Sequence, residues 1–65
     1  MTIHDIGFKS ISEAAKAAGM ERQNLWKMLN GKENPTVRMC FRLAKAWNVD
    51  VVAVLKIFYP SEMED

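Results

Sequence analysis

Sixty-five residues make one domain, because chains this short rarely hold two cores. An apolar fraction of 49% suits a globular chain and excludes a disordered one, and the single cysteine, Cys40, excludes an internal disulfide. No Cys/His set has metal-ligand spacing, no secretory segment opens the chain and no apolar run spans a bilayer. No metal, cofactor or membrane partner is expected, and the cytoplasm is the default compartment.

The net charge is only +1, but it is unevenly spread. Residues 61–65, "SEMED", carry three acids, so residues 1–60 hold nine basic against five acidic side chains. From Arg22 to Lys45 six bases (Arg22, Lys27, Lys32, Arg38, Arg42, Lys45) face one acid, Glu33. An excess of this kind attracts a polyanion.

Residues 1–9, "MTIHDIGFK", have no sustained period and are expected to form an arm or one irregular turn. "SISE", residues 10–13, has the pattern of a capping box, in which the Ser10 hydroxyl accepts from the Glu13 N–H while the Glu13 carboxylate reaches back to the Ser10 N–H. Ile11, Ala14, Ala15 and Ala18 follow at the spacing of one helical stripe, and Gly19 ends that helix by taking the left-handed conformation. The alanines let a second helix cross closely.

The second helix is expected from Glu21 or Arg22 to about Asn30, with Glu21 a poor N-cap. Leu25, Met28 and Leu29 share its apolar side. Gln23, Lys27 and Asn30 lie roughly opposite, and Arg22 and Trp26 lie on the boundary. "GKENP", residues 31–35, is a polar turn with a proline stop.

Thr36 is a good N-cap for a third helix, in which Val37, Cys40, Phe41, Ala44 and Trp47 line one side, with Leu43 adjacent and Asn48 as C-cap. Arg38 and Arg42, four apart, read as a solvated rim, with a phosphate rim as the alternative. Asp50 caps a last helix, "VVAVLKIFY", ending before Pro60, whose inner stripe is Val51, Val54, Leu55 and Phe58. Val52, Ile57, Phe58 and Tyr59 offer more apolar surface than one small bundle needs, and are the candidate dimer contact, with covering the small core of a monomer as the alternative. The expected architecture is all-α, a compact four- to five-helix bundle over residues 10–60, with the first helix short or absent and 61–65 an acidic tail.

Counted from Gly19, a small residue (Ala15) stands four back, and Met20, Leu25 and Met28 stand one, six and nine on. "NGK" (Asn30, Gly31, Lys32) follows, then Pro35-Thr36, Leu43-Ala44-Lys45-Ala46 and Val49. This ordered set, over residues 10 to about 55, resembles the helix-turn-helix of the phage-repressor and Cro family. The sequence departs from that family in two places. Nine residues hardly allow the usual full helix before "SISE", and Ile11 stands where a glutamine often bonds DNA phosphate, so that contact is either missing or supplied by Ser10, Ser12 or Lys9. The shortened front is also similar to small antidote proteins of toxin–antitoxin operons, which repress their own promoters.

The resemblance implies a sequence-specific regulator, most simply a repressor, that inserts helix 21–30 into the major groove of double-stranded operator DNA. It places base contacts at Arg22, Gln23 and Lys27. The chemistry fits: Arg forks onto guanine O6 and N7, Gln onto adenine N6 and N7, and Lys reaches guanine or phosphate. Asn24, Asn30, Lys32 and Asn34 are backbone contacts, joined by Ser10, Ser12 and Thr36, whose helix start offers free N–H groups. Trp26 is read as covering the edge of the core, with contact to a thymine methyl or a sugar as the alternative. One such domain makes few contacts, so a homodimer on a palindrome is expected. The competing reading is an antitoxin, with a toxin as protein partner. No Ser/His/Asp or Cys/His set or phosphate-binding glycine loop points to an enzyme.

Overall fold

The computed structural model describes residues 1–63. Its described residues form an all-α bundle: α1 (Ile11–Ala18), α2 (Arg22–Leu29), α3 (Val37–Trp47) and α4 (Val51–Phe58). None of these helices is long and apolar enough to cross a membrane.

Local chemistry sets the helix limits. The Ser10 hydroxyl accepts from the Glu13 N–H at 3.1 Å, and Gly19, at φ +66°, turns its N–H back onto the carbonyls of Ala15 and Lys16. The other half of the capping box differs from expectation. The Glu13 carboxylate meets the N–H of Lys9, at 3.5 Å, because the extended Ser10 backbone presents the preceding amide to it. Glu21 caps α2 without a side-chain hydrogen bond. Thr36 and Asp50 both cap with their side chains, at 3.1 Å to Met39 N–H and 2.8 Å to Val52 N–H. Asn48 closes α3 in the left-handed region, at φ 56°.

Packing joins α3 to α4 and α1, and α1 to α2, while α2 touches α4. The core holds Ala14, Ala15 and Ala18 of α1, Leu25 and Met28 of α2, Cys40, Leu43, Ala44 and Trp47 of α3, and Val54 of α4. Burial pushes the Cys40 thiol up from its ordinary pKa, so it behaves as a small hydrophobe.

Two of the residues expected to line the inner side of α3 do not. Val37 is 73% and Phe41 58% exposed, whereas Leu43, expected only beside the stripe, is 1% exposed. The buried direction of α3 runs through Cys40, Leu43 and Trp47, and Val37 and Phe41 lie on its margin, in solvent. Leu29 of α2 and Val51, Leu55 and Phe58 of α4 are only partly buried, against the outside of the core.

Residues 2–7 close a turn in which the Thr2 N–H donates to the Asp5 carboxylate at 2.7 Å, holding that carboxyl below its ordinary pKa. The turn buries Ile3 and lays Phe8 against Trp47, ring centres 5.5 Å apart. The Trp47 indole N–H donates to the Ala14 carbonyl at 2.9 Å, tying α3 to α1 through a buried bond.

Candidate nucleic-acid interface

The α2 helix is held by its hidden side. Leu25 (0% exposed) and Met28 (9%) sit in the core, so the residues one turn apart on the opposite side are forced outward. Arg22, Gln23 and Lys27 are all exposed, each within the two turns of a helix whose start lies three residues beyond the Gly19 turn. Asn24 and Asn30 are exposed as well, but Asn30 is partly committed. Its Nδ2 donates to the Trp26 carbonyl at 2.9 Å, which uses one of its two amide donors to close the last turn of α2. Trp26 is 40% exposed and is not a core residue.

The remaining expected contacts fall into two groups. Ser10 and Ser12 are exposed at the start of α1; Ser10 accepts a hydrogen bond as N-cap and keeps its O–H free to donate. Lys32, Asn34 and Thr36 are exposed along the loop from α2 to α3, with Thr36 likewise accepting as N-cap. A cleft of about 520 Å³ brings Asn24 of α2 together with Asn34 and Thr36 across that loop. Met28 and Met39 also line it.

Arg42, one of the two arginines for which spacing leaves a solvated or a phosphate rim open, lines the same cleft. Helical spacing could show that Arg42 stands one turn beyond Met39; only the path of residues 30–36 shows that this side of α3 looks toward α2. The cleft is of mixed sign, because Glu21 and Glu33 line it too. The cationic character of the region therefore rests on Arg22, Lys27, Lys32, Arg38 and Lys45, all exposed, rather than on the cleft. Among the described residues no three His, Cys, Asp or Glu side chains gather to hold a metal ion.

The candidate dimer residues are unevenly placed. Val52 is 42% exposed, Ile57 and Phe58 are half-buried against the core, and the half-buried Tyr59 donates from its hydroxyl to the Pro35 carbonyl at 3.4 Å. The Tyr59 bond ties the end of α4 to the residue before Thr36.

Two short helices joined through a left-handed glycine, the second pinned by its apolar side and polar on the other, define a DNA-binding regulatory domain. Residues 9–54 match the profile of the helix-turn-helix family, and the protein belongs to that family. A search of curated proteins and one of solved structures returned no match.

Proposed function

We propose that the protein is a cytoplasmic repressor of the phage-repressor and Cro type, which lays α2 in the major groove of an operator and blocks access to it. The observation that carries this reading is the outward placement of Arg22, Gln23 and Lys27 on a helix whose Leu25 and Met28 are buried. Arg22 and Gln23 read bases by paired hydrogen bonds, and Lys27 reads guanine or a phosphate. Ser10, Ser12, Asn24, Lys32, Asn34 and Thr36 hold the sugar-phosphate backbone, with Asn30 contributing its remaining donor.

Selection of bound sequences from random duplex DNA tests this directly. Arg22→Ala is expected to lower affinity for the selected operator about 10- to 100-fold, the worth of one forked arginine–guanine pair, and to relax preference at one base pair. Equal loss on every duplex would overturn base reading by Arg22.

The repressor acts as a dimer on a palindrome, with two copies of α2 about 34 Å apart on successive turns. Support comes from α4, where an almost wholly apolar sequence buries only Val54 completely, leaving Val52 exposed and Ile57 and Phe58 half-buried. Ile57→Lys is expected to halve the mass seen by light scattering and to cost operator affinity; an unchanged dimer mass would remove α4 from the interface.

The antitoxin reading has one observation in its favour. Val37 and Phe41 stand exposed one turn apart on α3, a surface with no use in phosphate contact. A genomic neighbour encoding a toxic enzyme, captured by this chain without nucleic acid, would establish it.

A further inference from the structure

The two tryptophans of the chain are used in opposite ways. Trp47 is 7% exposed, hydrogen-bonded through its indole N–H and packed on Phe8. Trp26 leaves 40% of its surface in solvent on the helix that carries the base-reading side chains.

Its place on α2 follows from the helix period. With Leu25 and Met28 fixing the buried direction, Gln23 and Asn30 lie most nearly opposite, Lys27 to one side of them and Trp26 to the other. Arg22, Trp26 and Asn30 form one row at four-residue spacing, beside the row of Gln23 and Lys27. The bond from Asn30 Nδ2 to the Trp26 carbonyl holds the amide on the C-terminal side of the ring. An apolar ring thus stands inside a polar surface, flanked by the groups that reach toward DNA.

Hydrogen-bonding tips cannot recognise every base edge. Thymine differs from the other bases in the major groove by its C5 methyl group, which an apolar side chain contacts and a guanidinium or amide does not. Cytosine in its place carries no such methyl, so the contact would be lost.

From this placement we infer that Trp26 is a specificity residue, whose indole packs on the C5 methyl of a thymine next to the base pair that Arg22 reads. The inference rests on α2 lying in the major groove. It adds a methyl-reading contact to the polar ones.

The test uses the operator obtained by selection, with each thymine replaced singly by deoxyuridine, which deletes the methyl and keeps every hydrogen-bonding group. One thymine in each half-site is expected to respond, its replacement weakening binding of the unaltered protein about four-fold, the worth of one buried methyl. Trp26→Ala should bind the thymine and deoxyuridine operators equally, whereas Arg22→Ala should still prefer thymine there. Tryptophan emission should shift to the blue when operator is added, and Trp26→Phe should lose that shift. If no single deoxyuridine weakens the unaltered protein, or if Trp26→Ala keeps the preference for thymine, Trp26 does not read a methyl. Selective loss by Arg22→Ala at its own base pair would then leave the groove reading standing, while failure to recover any preferred sequence would overturn both. If Trp26→Ala folds poorly, a deoxyuridine series without effect on the unaltered protein still overturns the inference, and the blue shift lost in Trp26→Phe still assigns the contact to this ring.

Discussion

Leu25→Ala is expected to cost about 2–5 kcal/mol of folding stability, measured from the midpoint and slope of urea unfolding followed by far-ultraviolet circular dichroism. Leu25 is 0% exposed and shares the core with Ala14, Ala15 and Ala18, side chains too small to swell into the space it would leave. The loss is large against the total. At roughly 0.05–0.15 kcal/mol per residue, a domain of this length has only about 3–10 kcal/mol to lose. The variant should bind DNA only in proportion to its folded fraction, and saturating operator should restore part of the structure. Phe41→Ala removes a larger side chain but one that is 58% exposed, and should change stability by only about 0.5 kcal/mol or less. A cost below about 1 kcal/mol at Leu25 would mean that α2 is not anchored through it.

Raising monovalent salt from 50 to 200 mM should weaken DNA binding about 100-fold per domain, the result of releasing the counterions of about four neutralised phosphates. Arg22, Lys27, Lys32, Arg38, Arg42 and Lys45 lie between residues 22 and 45, and all six are exposed. The overall charge of +1 conceals this, because seven of the eight acids lie outside residues 22–45, three of them after Pro60. Lys32→Gln should lower affinity for all duplexes alike and reduce the slope of log affinity against log salt by about one, since it is assigned to phosphate and not to a base. The measurement is a fluorescence-anisotropy titration at several salt concentrations. A flat salt response would overturn phosphate neutralisation, and an effect of Lys32→Gln on one base pair only would move Lys32 into the base-reading set.

The helices and their ends were legible in the sequence because they are decided within a few residues. Ser10, Thr36 and Asp50 cap through side chains that bond backbone two or three residues on. Gly19 and Asn48 end α1 and α3 in the left-handed region, at φ 66° and 56°. The exposure of Gln23 and Lys27 was equally readable, since burying Leu25 and Met28 turns them outward, whereas spacing left Arg22 on the boundary.

What escaped the sequence depends on a neighbour distant along the chain. The helical period groups Val37 and Phe41 with Cys40 and Ala44, but it cannot say which edge of that stripe other elements cover, and Val37 and Phe41 stay exposed. Ile3 and Phe8 carry no periodic signal, and they enter the body of the fold because a turn carries them to Trp47. The Trp47–Ala14 bond spans 33 residues, and Arg42 joins Asn24, Asn34 and Thr36 only because the loop after α2 folds back. Trp26 sits at an angle where burial and exposure were equally compatible with its spacing, and the coverage by surrounding elements left it open. By itself, then, the sequence determined four helices, three of them capped by a side chain, the hidden side of α2 and the polar tips opposite it, because those follow from bonds and periods within one element. The tertiary structure alone decided which margins of each helix are covered, because coverage depends on the reach of other elements and not on the residue concerned.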